Sequence, residues 1–324
     1  MSAQQRILVT GGAGMIGQAV VRALLEDGRA VRVADQRDAP AWIAERCEIE
    51  RGDLRDPERA RRAAVGASCV IHLAAIVGGI GNFHRYPHTV LEANNALTAA
   101  LVRAALEAEV ERFTYVSSSM VFERALRFPT PESHVEECPP PHSAYGFSKL
   151  AGEVYCRSAG EEHGLRYTIC RPFNAYGPGE APADEPGIAH AVPDLIAKVL
   201  SGQRPLQIFG AGTQTRTLTH VRDIAAGILA ATFSPAGLCE DFNISAEREL
   251  SIAEIARLIW AACGEDPAEL AFEHLPSFSV DVQRRWPSVE KARRLLGFEA
   301  QVPLEEGIAE TVAWMRSRQS ATAR

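Results

Sequence analysis

The chain has 324 residues, which is enough for one large α/β unit or for two lobes around a shared cleft. Apolar residues make up 46% and charged residues 23%, a composition typical of a globular enzyme that excludes a disordered, collagen-like or membrane-embedded chain. The formal net charge of −7 argues against nucleic acid as a partner, because affinity for a phosphate backbone usually requires a basic face.

Short β-branched runs alternate with amphipathic helical patterns through the first half of the chain. The predicted strands are Arg6–Thr10, Ala30–Ala34, Cys47–Glu50, Cys69–Leu73, Phe113–Ser117 and Tyr167–Cys170. The predicted helices between them include Met15–Glu26, Leu91–Glu107 and Ala144–Glu162. Because this alternation is typical of βαβ units, we predict an α/β fold with a Rossmann-type, doubly wound parallel sheet and helices on both faces.

The sequence changes character after Arg171, where frequent Pro and Gly predict a loop that leaves the sheet. Helical patterns follow at Ala191–Ser201, Val221–Ala231, Ile252–Cys263 and Leu304–Arg318. We predict a dinucleotide-binding domain over residues 1–171 and a smaller, mostly helical C-terminal substrate lobe over residues 172–324. That lobe would cover the carboxyl ends of the strands, where open α/β sheets bind ligands, and Val221–Ser245 is predicted to return to the sheet.

A glycine-rich turn follows the first strand. Gly12 to Gly17 satisfies G-x-G-x-x-G, and Gly11 extends the register to T-G-x-x-G-x-x-G. Such glycines let the backbone approach a pyrophosphate, and the following helix directs its positive dipole end at that anion. The pattern alone also arises for packing reasons, but its place between a strand and a helix favours a dinucleotide site. The residues predicted to bind the cofactor here are Gly11, Gly14, Met15, Ile16 and Gly17.

Asp35 ends the second predicted strand, about 20 residues beyond the glycines, where a carboxylate binds the adenosine ribose hydroxyls. A carboxylate there repels a 2′-phosphate, so the sequence predicts NAD rather than NADP, although the nearby Arg37 weakens the preference. The alternative for Asp35 is a solvated turn residue. Asp53 either faces the adenine or is a plain turn aspartate.

The seven cysteines are odd in number and include no C-x-x-C pair, so neither a disulfide framework nor a zinc site is predicted. Only six residues precede the first apolar strand, which leaves no room for a signal peptide, and no apolar run is long enough to span a bilayer. We therefore predict a cytoplasmic protein with reduced thiols, no bound metal and no membrane segment.

Tyr145 and Lys149 lie four residues apart in a predicted helix and therefore share one face. A phenol titrates near 10, so acting as a base near pH 7 requires about 4 kcal/mol in favour of the phenolate. A nearby ammonium group and a positive nicotinamide ring can supply it together. Such a pair is usually a surface stack, but a glycine-rich cofactor turn and a strand ending in three serines favour catalysis.

Ordered motifs occur at Thr10–Gly17, Gly52–Leu54, His72–Ala75, Asn94, Ser117–Ser119, Tyr145–Lys149 and Arg171–Pro178. Together they resemble the extended short-chain dehydrogenase/reductase family of nucleotide-sugar epimerases, dehydratases and decarboxylases, and the resemblance covers nearly the whole chain. The resemblance implies that Asp53, Leu54, Ala74 and Asn94 also contact NAD. It further implies that Ser118, Tyr145 and Lys149 are catalytic and that Tyr145 and Lys149 also contact the cofactor. The Ser118 hydroxyl would bond to the reacting sugar oxygen and to Tyr145.

The resemblance also implies the first step, in which Tyr145 takes a proton from a sugar hydroxyl, normally at C4, while a hydride passes to NAD⁺. Dehydratases place an Asp-Glu pair directly after the Ser/Thr, and related decarboxylases place a Glu there, whereas this chain has Ser119 and Met120. Because a thioether cannot move a proton, we predict 4-epimerisation. The alternatives are an NAD(P)-dependent 4-ketosugar reductase, a 3,5-epimerase/reductase and a non-catalytic NAD-sensing module.

Val77–Phe83 is an insertion similar to one in the GDP-fucose synthase and GDP-mannose 3,5-epimerase branch of the family. Those enzymes have a Cys where this chain has Met120, and the synthase has a His that aligns with His190. The missing Cys disfavours paired C3/C5 epimerisation, and we predict that His190 only begins a helix. His84 and Arg85 either line the sugar pocket or decorate a loop.

Gly212–Arg216 and Arg285–Pro287 are similar to segments that hold the substrate diphosphate in relatives. Arginine suits phosphate because two N–H groups bond at once and the charge persists at any pH. The resemblance thus implies a nucleotide-sugar-binding lobe over residues 172–324, where Asn174, Arg216 and Arg285 contact the substrate, and Ser119 is a further substrate-binding residue outside that lobe. It also implies a homodimer, joined through the helices Leu91–Glu107 and Ala144–Glu162 as a four-helix bundle.

Overall fold

The computed structural model describes residues 6–77, 85–180, 189–277 and 282–322. Seven parallel strands form the main sheet: β1 (Arg6–Thr10), β2 (Ala30–Asp35), β3 (Glu48–Arg51), β4 (Ala67–His72), β5 (Arg112–Val116), β6 (Tyr167–Pro172) and β7 (Glu240–Ile244). Their spatial order is β7-β6-β5-β4-β1-β2-β3, so the chain starts near the middle and winds outward in both directions. The predicted doubly wound parallel sheet is confirmed.

The described helices are α1 (Met15–Glu26), α2 (Ala41–Ala44), α3 (Pro57–Ala64), α4 (Pro87–Glu107), α5 (Ala144–His163), α6 (Ala191–Leu200), α7 (Val221–Phe233), α8 (Ile252–Ala262), α9 (Glu290–Leu296) and α10 (Leu304–Thr322). Helix α4 begins at Pro87, one turn before the predicted Leu91, because proline fits the first turn, where its missing N–H has no helical acceptor. Helix α5 is capped by Ser143 Oγ, which accepts from Gly146 N at 3.1 Å.

The central strands β1, β4 and β5 are buried on both faces and carry mainly apolar side chains, whereas the edge strand β3 is largely exposed. Successive side chains of a strand point to opposite faces, so Ile7 and Val9 pack beneath α1 and α7, while Leu8 packs beneath α3, α4 and α5. The apolar side chains on both faces of the sheet extend to the carboxyl ends of the strands and form one packed core around them.

A second core lies in the later part of the chain, between α6, α8 and α10. Three short strand pairs support it: Ala175–Tyr176 with Thr219–His220, Leu206–Phe209 with Phe272–Leu275, and Thr215–Thr217 with Glu249–Ser251. Between these elements the chain returns to the main sheet, where β7 pairs with β6 in parallel, and α7 packs on α1. None of the helices in the described ranges is long and apolar enough to cross a membrane.

Candidate active site

A cavity of about 960 Å³ lies at the carboxyl ends of β1, β4 and β5, and the second core closes its far side. It brings together residues that are far apart in the sequence. The predicted site residues that line it are Gly11, Gly14, Met15, Ile16, Gly17, Asp35, Leu54, Ala74, Asn94, Ser118, Ser119, Tyr145, Lys149, Asn174, Arg216 and Arg285. We call the part near β1 the cofactor end and the part near Asn174 and Arg216 the substrate end.

The glycine-rich turn forms a cradle that side chains would fill. Gly11 has a φ of +71°, and a Cβ built there would lie 2.7 Å from Ala74 N. A Cβ at Gly17 would overlap the Gly11 carbonyl oxygen. The first turn of α1 follows Gly14, whose lack of a side chain leaves the helix N–H groups open toward the cavity. The residues present therefore fit a pyrophosphate bound at a helix N-terminus.

The Asp35 carboxylate joins the end of β2 to this turn. Its Oδ2 accepts from Ala13 N at 3.0 Å, and its Oδ1 accepts from Arg37 N at 3.0 Å. The Arg37 guanidinium also pairs with it at 3.3 Å and remains mostly exposed. Asp35 is thus a largely buried carboxylate at the cavity wall, and the alternative of a solvated turn residue does not describe its surroundings.

Asp53 is the one predicted cofactor residue that the cavity lining lacks within the described ranges. Its Oδ2 accepts from Arg55 Nη2 at 2.6 Å, and hydrogen bonds from Arg55 hold the pKa of the carboxyl below its ordinary value. The neighbouring Leu54 and Arg55 do line the cavity. Contact of Asp53 itself with a cofactor stays a prediction.

Buried hydrogen bonds shape the wall between β1 and β4. Thr10 Oγ1 lies 2.8 Å from His72 Nδ1 and accepts from Ala74 N at 3.3 Å. Burial lowers the pKa of His72 to about 3, so this imidazole is neutral and serves as a fixed hydrogen-bonding group. Asn94 binds both backbone groups of Ile76: its Oδ1 accepts from Ile76 N at 2.7 Å, and its Nδ2 donates to Ile76 O at 3.1 Å. Asn94 therefore shapes the segment that follows β4.

Tyr145, Lys149 and Ser118 converge where α5 meets the end of β5. The phenol of Tyr145 is buried and shares a hydrogen bond with the Ser118 hydroxyl. Lys149 Nζ lies 5.9 Å from the centre of the Tyr145 ring and donates to Val116 O at 2.8 Å. The i, i+4 spacing on α5 thus directs both side chains into the cavity, as predicted from their shared helix face.

The electrostatics of Tyr145 oppose its use as a base in the ligand-free protein. Burial raises the pKa of Tyr145 to about 12, against the lowering effects of the Ser118 hydrogen bond and the Arg285 charge. Ionising the phenol near pH 7 from that value requires about 7 kcal/mol, more than an exposed tyrosine needs. Burial also lowers the pKa of Lys149 to about 8, so this cation is held close to its own titration point. Forming the Tyr145 phenolate near pH 7 therefore requires additional positive charge close to the phenol.

Met120 lines the cavity beside Tyr145 and is buried against Tyr145 and Val90. Arg285 Nη2 lies 2.6 Å from Met120 Sδ, and its Nη1 donates to Asn174 Oδ1 at 3.4 Å. The guanidinium of Arg285 is thus close enough to Tyr145 to act on its pKa, whereas the resemblance predicted only a diphosphate contact. No spacing in the sequence indicated this contact.

The other substrate-end residues are held by backbone groups. Asn174 has a φ of +40° and donates through Nδ2 to Thr217 O at 3.0 Å. Arg216 Nη1 donates to Val282 O at 2.7 Å, which fixes the side chain along the cavity wall. Ser119 begins a 3₁₀ turn after β5, is buried and also lines the cavity.

His190 directly precedes α6, as predicted, and it also lines the cavity. Its Nδ1 lies 2.6 Å from Glu180 Oε1. Burial alone would lower the pKa of His190, but the Glu180 carboxylate more than offsets this and raises it. Within the described ranges Arg85 is not among the lining residues, and His84 with residues 78–83 of the insertion lies outside those ranges.

Glu123 also lines the cavity: its Oε2 accepts from Ser143 N at 2.9 Å, at the start of α5. The sequence interpretation missed Lys198, which lines the cavity as well. This lysine pairs with Asp194 at 2.7 Å, and its Nζ lies 5.2 Å from the centre of the Phe209 ring. Lys198 sits one helical turn after Asp194, a spacing too common to single it out.

Comparisons with known proteins place these features in context. The profile of the "NAD dependent epimerase/dehydratase family" matches residues 7–245. UDP-glucose 4-epimerase from Mycolicibacterium smegmatis is 31% identical over 322 residues, which cover 97% of this chain and 99% of that protein. UDP-glucuronic acid decarboxylase 1 from Xenopus tropicalis is 30% identical, covering 97% and 72%. dTDP-4-dehydro-6-deoxy-D-allose reductase from Streptomyces bikiniensis is 28% identical, covering 97% of each.

Solved structures show the same architecture. UDP-glucose 4-epimerase from Thermotoga maritima, solved with UDP-glucose, is similar with a TM-score of 0.88 at 30% identity, covering 97% of this chain and 100% of that chain. UDP-glucuronic acid 4-epimerase from Bacillus cereus, solved with UDP-glucuronic acid and NAD, gives a TM-score of 0.85 at 27% identity with the same coverage.

Proposed function

Because the chain belongs to the NAD-dependent epimerase/dehydratase family and NAD is its cofactor, we propose that it is a nucleotide-sugar 4-epimerase. The observation that carries the proposal is Met120, buried against Tyr145 at the position where dehydratases of the resembled family have an acid. Similarity to UDP-sugar 4-epimerases over nearly the whole chain supports it.

We propose that NAD is held at the cofactor end. Its pyrophosphate would meet the cradle of Gly11, Gly14 and Gly17, where added Cβ atoms would fill the space, and its adenosine ribose would meet Asp35. Lys149 would hold the nicotinamide ribose. When bound, NAD supplies a hydride acceptor.

The proposed role of Tyr145 is to exchange one proton with the C4 oxygen of the sugar. Ser118 shares a hydrogen bond with the phenol and would orient the same sugar oxygen. The Lys149 ammonium favours the phenolate, because an opposite charge within a few ångströms stabilises the ionised form. The keto sugar would then rotate within the substrate end before Tyr145 returns the proton.

Elimination chemistry is disfavoured by the state of the nearby carboxylates. Glu123 and Glu180 line the cavity, but Glu123 accepts from Ser143 N and Glu180 binds His190 Nδ1. Met120 offers neither an acid nor a base. The arrangement therefore favours a reaction that needs only Tyr145 as proton acceptor and donor.

A second candidate is a reductase of nucleotide-4-ketosugars or a 3,5-epimerase/reductase. The His190–Glu180 pair favours it, because the imidazole adds a second proton-transferring group to the cavity. A non-catalytic NAD-sensing module is the remaining alternative. The buried Lys149 and the Ser118–Tyr145 hydrogen bond argue against that module, since a sensor would need neither.

The test is a set of reactions in heavy water with UDP-, dTDP- and GDP-sugars, and with the corresponding 4-ketosugars supplied together with NAD(P)H. The reactions are followed by absorbance at the reduced-nicotinamide band and by NMR of the product. From a sugar we expect transient reduction that decays, a C4 epimer as product, no net change in NAD and no deuterium on sugar carbons. Net consumption of NAD(P)H in proportion to product from a ketosugar would instead establish the reductase. Deuterium at C3 and C5 would establish the 3,5-epimerase, and the absence of product and of any absorbance change with every sugar and ketosugar would contradict every enzyme candidate.

We also propose a homodimer in which a second copy covers the outer face of α5. Phe147, Val154 and Tyr155 on that helix are each at least 40% exposed, an apolar stripe that a partner would bury. Light scattering should give twice the chain mass, and Val154→Glu should give a monomer. A monomeric parent protein would contradict the proposal.

We propose the cytoplasm as the working compartment. All seven cysteines are free thiols in the structure, as expected where cellular reductants keep cysteines reduced. Fractionation of the source cells, with the protein found in the cytoplasmic fraction, would support this. Recovery from an exported fraction would overturn it.

A further inference from the structure

Three consecutive residues at the end of β5 are each bound by a different turn of α5. Val116 O accepts from Lys149 Nζ at 2.8 Å, Ser117 Oγ donates to Glu153 Oε1 at 2.7 Å, and Ser118 shares a hydrogen bond with Tyr145. Tyr145, Lys149 and Glu153 are spaced i, i+4, i+8 and so lie along one helix face. The helix and the strand end are therefore locked in one register.

Glu153 is almost fully buried, and its hydrogen-bonding partners use both of its oxygens. Besides Ser117, its Oε1 accepts from Arg171 Nε at 2.8 Å, and its Oε2 accepts from Arg171 Nη2 at 2.6 Å. This two-point contact with a fully buried guanidinium fixes the position and orientation of the carboxylate. The Ser117 hydroxyl thus bonds to a group that cannot move.

Arg171 is itself anchored away from the cavity. Its Nη2 donates to Asp241 Oδ2 at 2.7 Å, and Asp241 also binds Arg157 at 2.9 Å and Lys291 at 2.7 Å. Burial would raise the pKa of Asp241, but these three cations hold it well below its ordinary value, so the carboxyl is ionised. The buried network ties α5 and β5 to β6, β7 and α9.

We propose that Glu153 is a positioning residue, which fixes Ser118 against Tyr145 through Ser117 and keeps the Lys149 ammonium charged during the reaction. Neither Glu153 nor Ser117 would touch the sugar. The proposal rests on Tyr145 being the proton acceptor, as in the proposed function, but it does not depend on whether the product is an epimer or a reduced sugar.

The effect of Glu153 on the charge of Lys149, which we call the charge effect, follows from the groups that surround the ammonium. His72 of β4, Tyr115 of β5 and Tyr145 of α5 face it, with the Tyr115 ring centre 5.2 Å from Nζ. Among these described neighbours and Glu153, only Glu153 carries a negative charge. Burial lowers the pKa of Lys149 to about 8, and Glu153 opposes that lowering. Without the carboxylate the ammonium would lose its proton at a lower pH.

The positioning effect is tested with Ser117→Ala, which removes the hydroxyl but leaves the Glu153–Arg171 pair intact. We expect kcat to fall about tenfold with KM unchanged, because a small misplacement of reacting groups has that effect. The matched control is Thr114→Val, which removes a buried hydroxyl of the same strand that bonds to Thr232 of α7 instead. Parent-like kcat in Ser117→Ala, or an equal fall in the control, would overturn the positioning role.

The charge effect is tested with Glu153→Gln in the NAD-free protein, without any activity measurement. The chain has only three lysines, Lys149, Lys198 and Lys291, so isotope-labelled lysine gives three NMR signals that can be titrated separately. We expect the pKa of Lys149 to fall and that of Lys198 to stay. An unchanged Lys149 pKa would overturn the charge role.

The two variants separate this proposal from the proposed function. If Glu153→Gln fails to fold, Ser117→Ala still decides the positioning role, with activity measured on whichever nucleotide sugar the parent converts. If the parent converts none, the lysine titration still decides whether Glu153 sustains the charge of Lys149. The basic limb of the kcat profile should move to lower pH in Glu153→Gln and stay in place in Ser117→Ala.

Discussion

The cofactor end and the substrate end of the cavity are built in different ways. The cofactor end is made by backbone: a turn of consecutive residues whose glycines let main-chain atoms touch, backed by the buried Thr10–His72 contact at 2.8 Å. The substrate end is made by long side chains, and Arg285 meets Asn174 across 111 residues of sequence.

Under the proposed function, the two ends would carry different specificities. Backbone contacts within one turn change little when the rest of the chain varies, so the cofactor end would hold a constant group. Side chains such as Arg216 and Arg285 depend on how the second core packs. New sugars can therefore be accommodated at the substrate end while the cofactor end stays as it is.

The largest effect is expected at Tyr145, where a substitution should abolish most of the reaction and leave cofactor binding intact. Tyr145→Phe removes the proton acceptor, so we expect kcat to fall about 10³-fold, within the range for loss of a general base. NAD affinity, measured by calorimetry, should be retained because the glycine cradle is untouched. A variant that keeps its turnover would show that another group takes the proton.

The next effect tests the backbone character of the cofactor end. Gly17→Ala places a Cβ against the Gly11 carbonyl oxygen, so we expect NAD binding to weaken about 30-fold, or 2 kcal/mol, as overpacking does. Gly28→Ala is the control, because its φ of +70° strains the backbone of the variant while nothing lies within 4 Å of the added atom. Gly17 lies within α1 and has no such strain, so equal losses in the two variants would show that general destabilisation, and not the cradle, explains the effect.

A smaller effect is expected at the substrate end. Arg285→Lys keeps the charge but loses the planar fork, so kcat/KM should fall about tenfold, the value of one hydrogen bond to a charged group. NAD affinity should not change. The control is Arg284→Lys, since Arg284 pairs with Glu249. If Arg285→Lys behaves like its neighbour, the Met120–Arg285 contact has no part in substrate binding.

The smallest effect concerns the choice between NAD and NADP. Asp35→Asn removes the charge that repels a 2′-phosphate, and Arg37 is already at hand to bind one. We expect the NAD-to-NADP preference to fall about fivefold, or 1 kcal/mol. The ratio of the two dissociation constants measures it, and an unchanged ratio would show that Asp35 does not select the cofactor.

The two ends also differ in how far the sequence reveals them. The parallel sheet follows from alternating apolar strands and helices, and the cradle of Gly11 to Gly17 is contiguous, so both could be predicted. The Tyr145–Lys149 pair could be predicted because i, i+4 spacing on a helix fixes a shared face. These features depend on local geometry alone.

What escaped prediction depends on contacts between distant segments. Nothing near Met120 in the sequence indicates that Arg285 lies on its sulfur, and the Glu123 contact with Ser143 bridges 20 residues of irregular chain. The Glu153–Arg171 pair was missed for the same reason, since each residue taken alone is an ordinary charged side chain. The carboxylate of Asp53, a motif residue, binds Arg55, and its contact with a cofactor stays a prediction.

The return of the chain to the sheet edge also bears on how such a protein can evolve. A gene encoding only residues 1–171 would leave β6 with an open row of backbone groups and would expose the apolar face that α7 covers. The substrate-binding part therefore cannot be exchanged by fusing a different module after β6. The substrate-binding part can instead diversify by substitutions and loop insertions between Pro172 and Glu240 and after Ile244. Helix α7 lies within the first of these stretches and has to be kept together with β7.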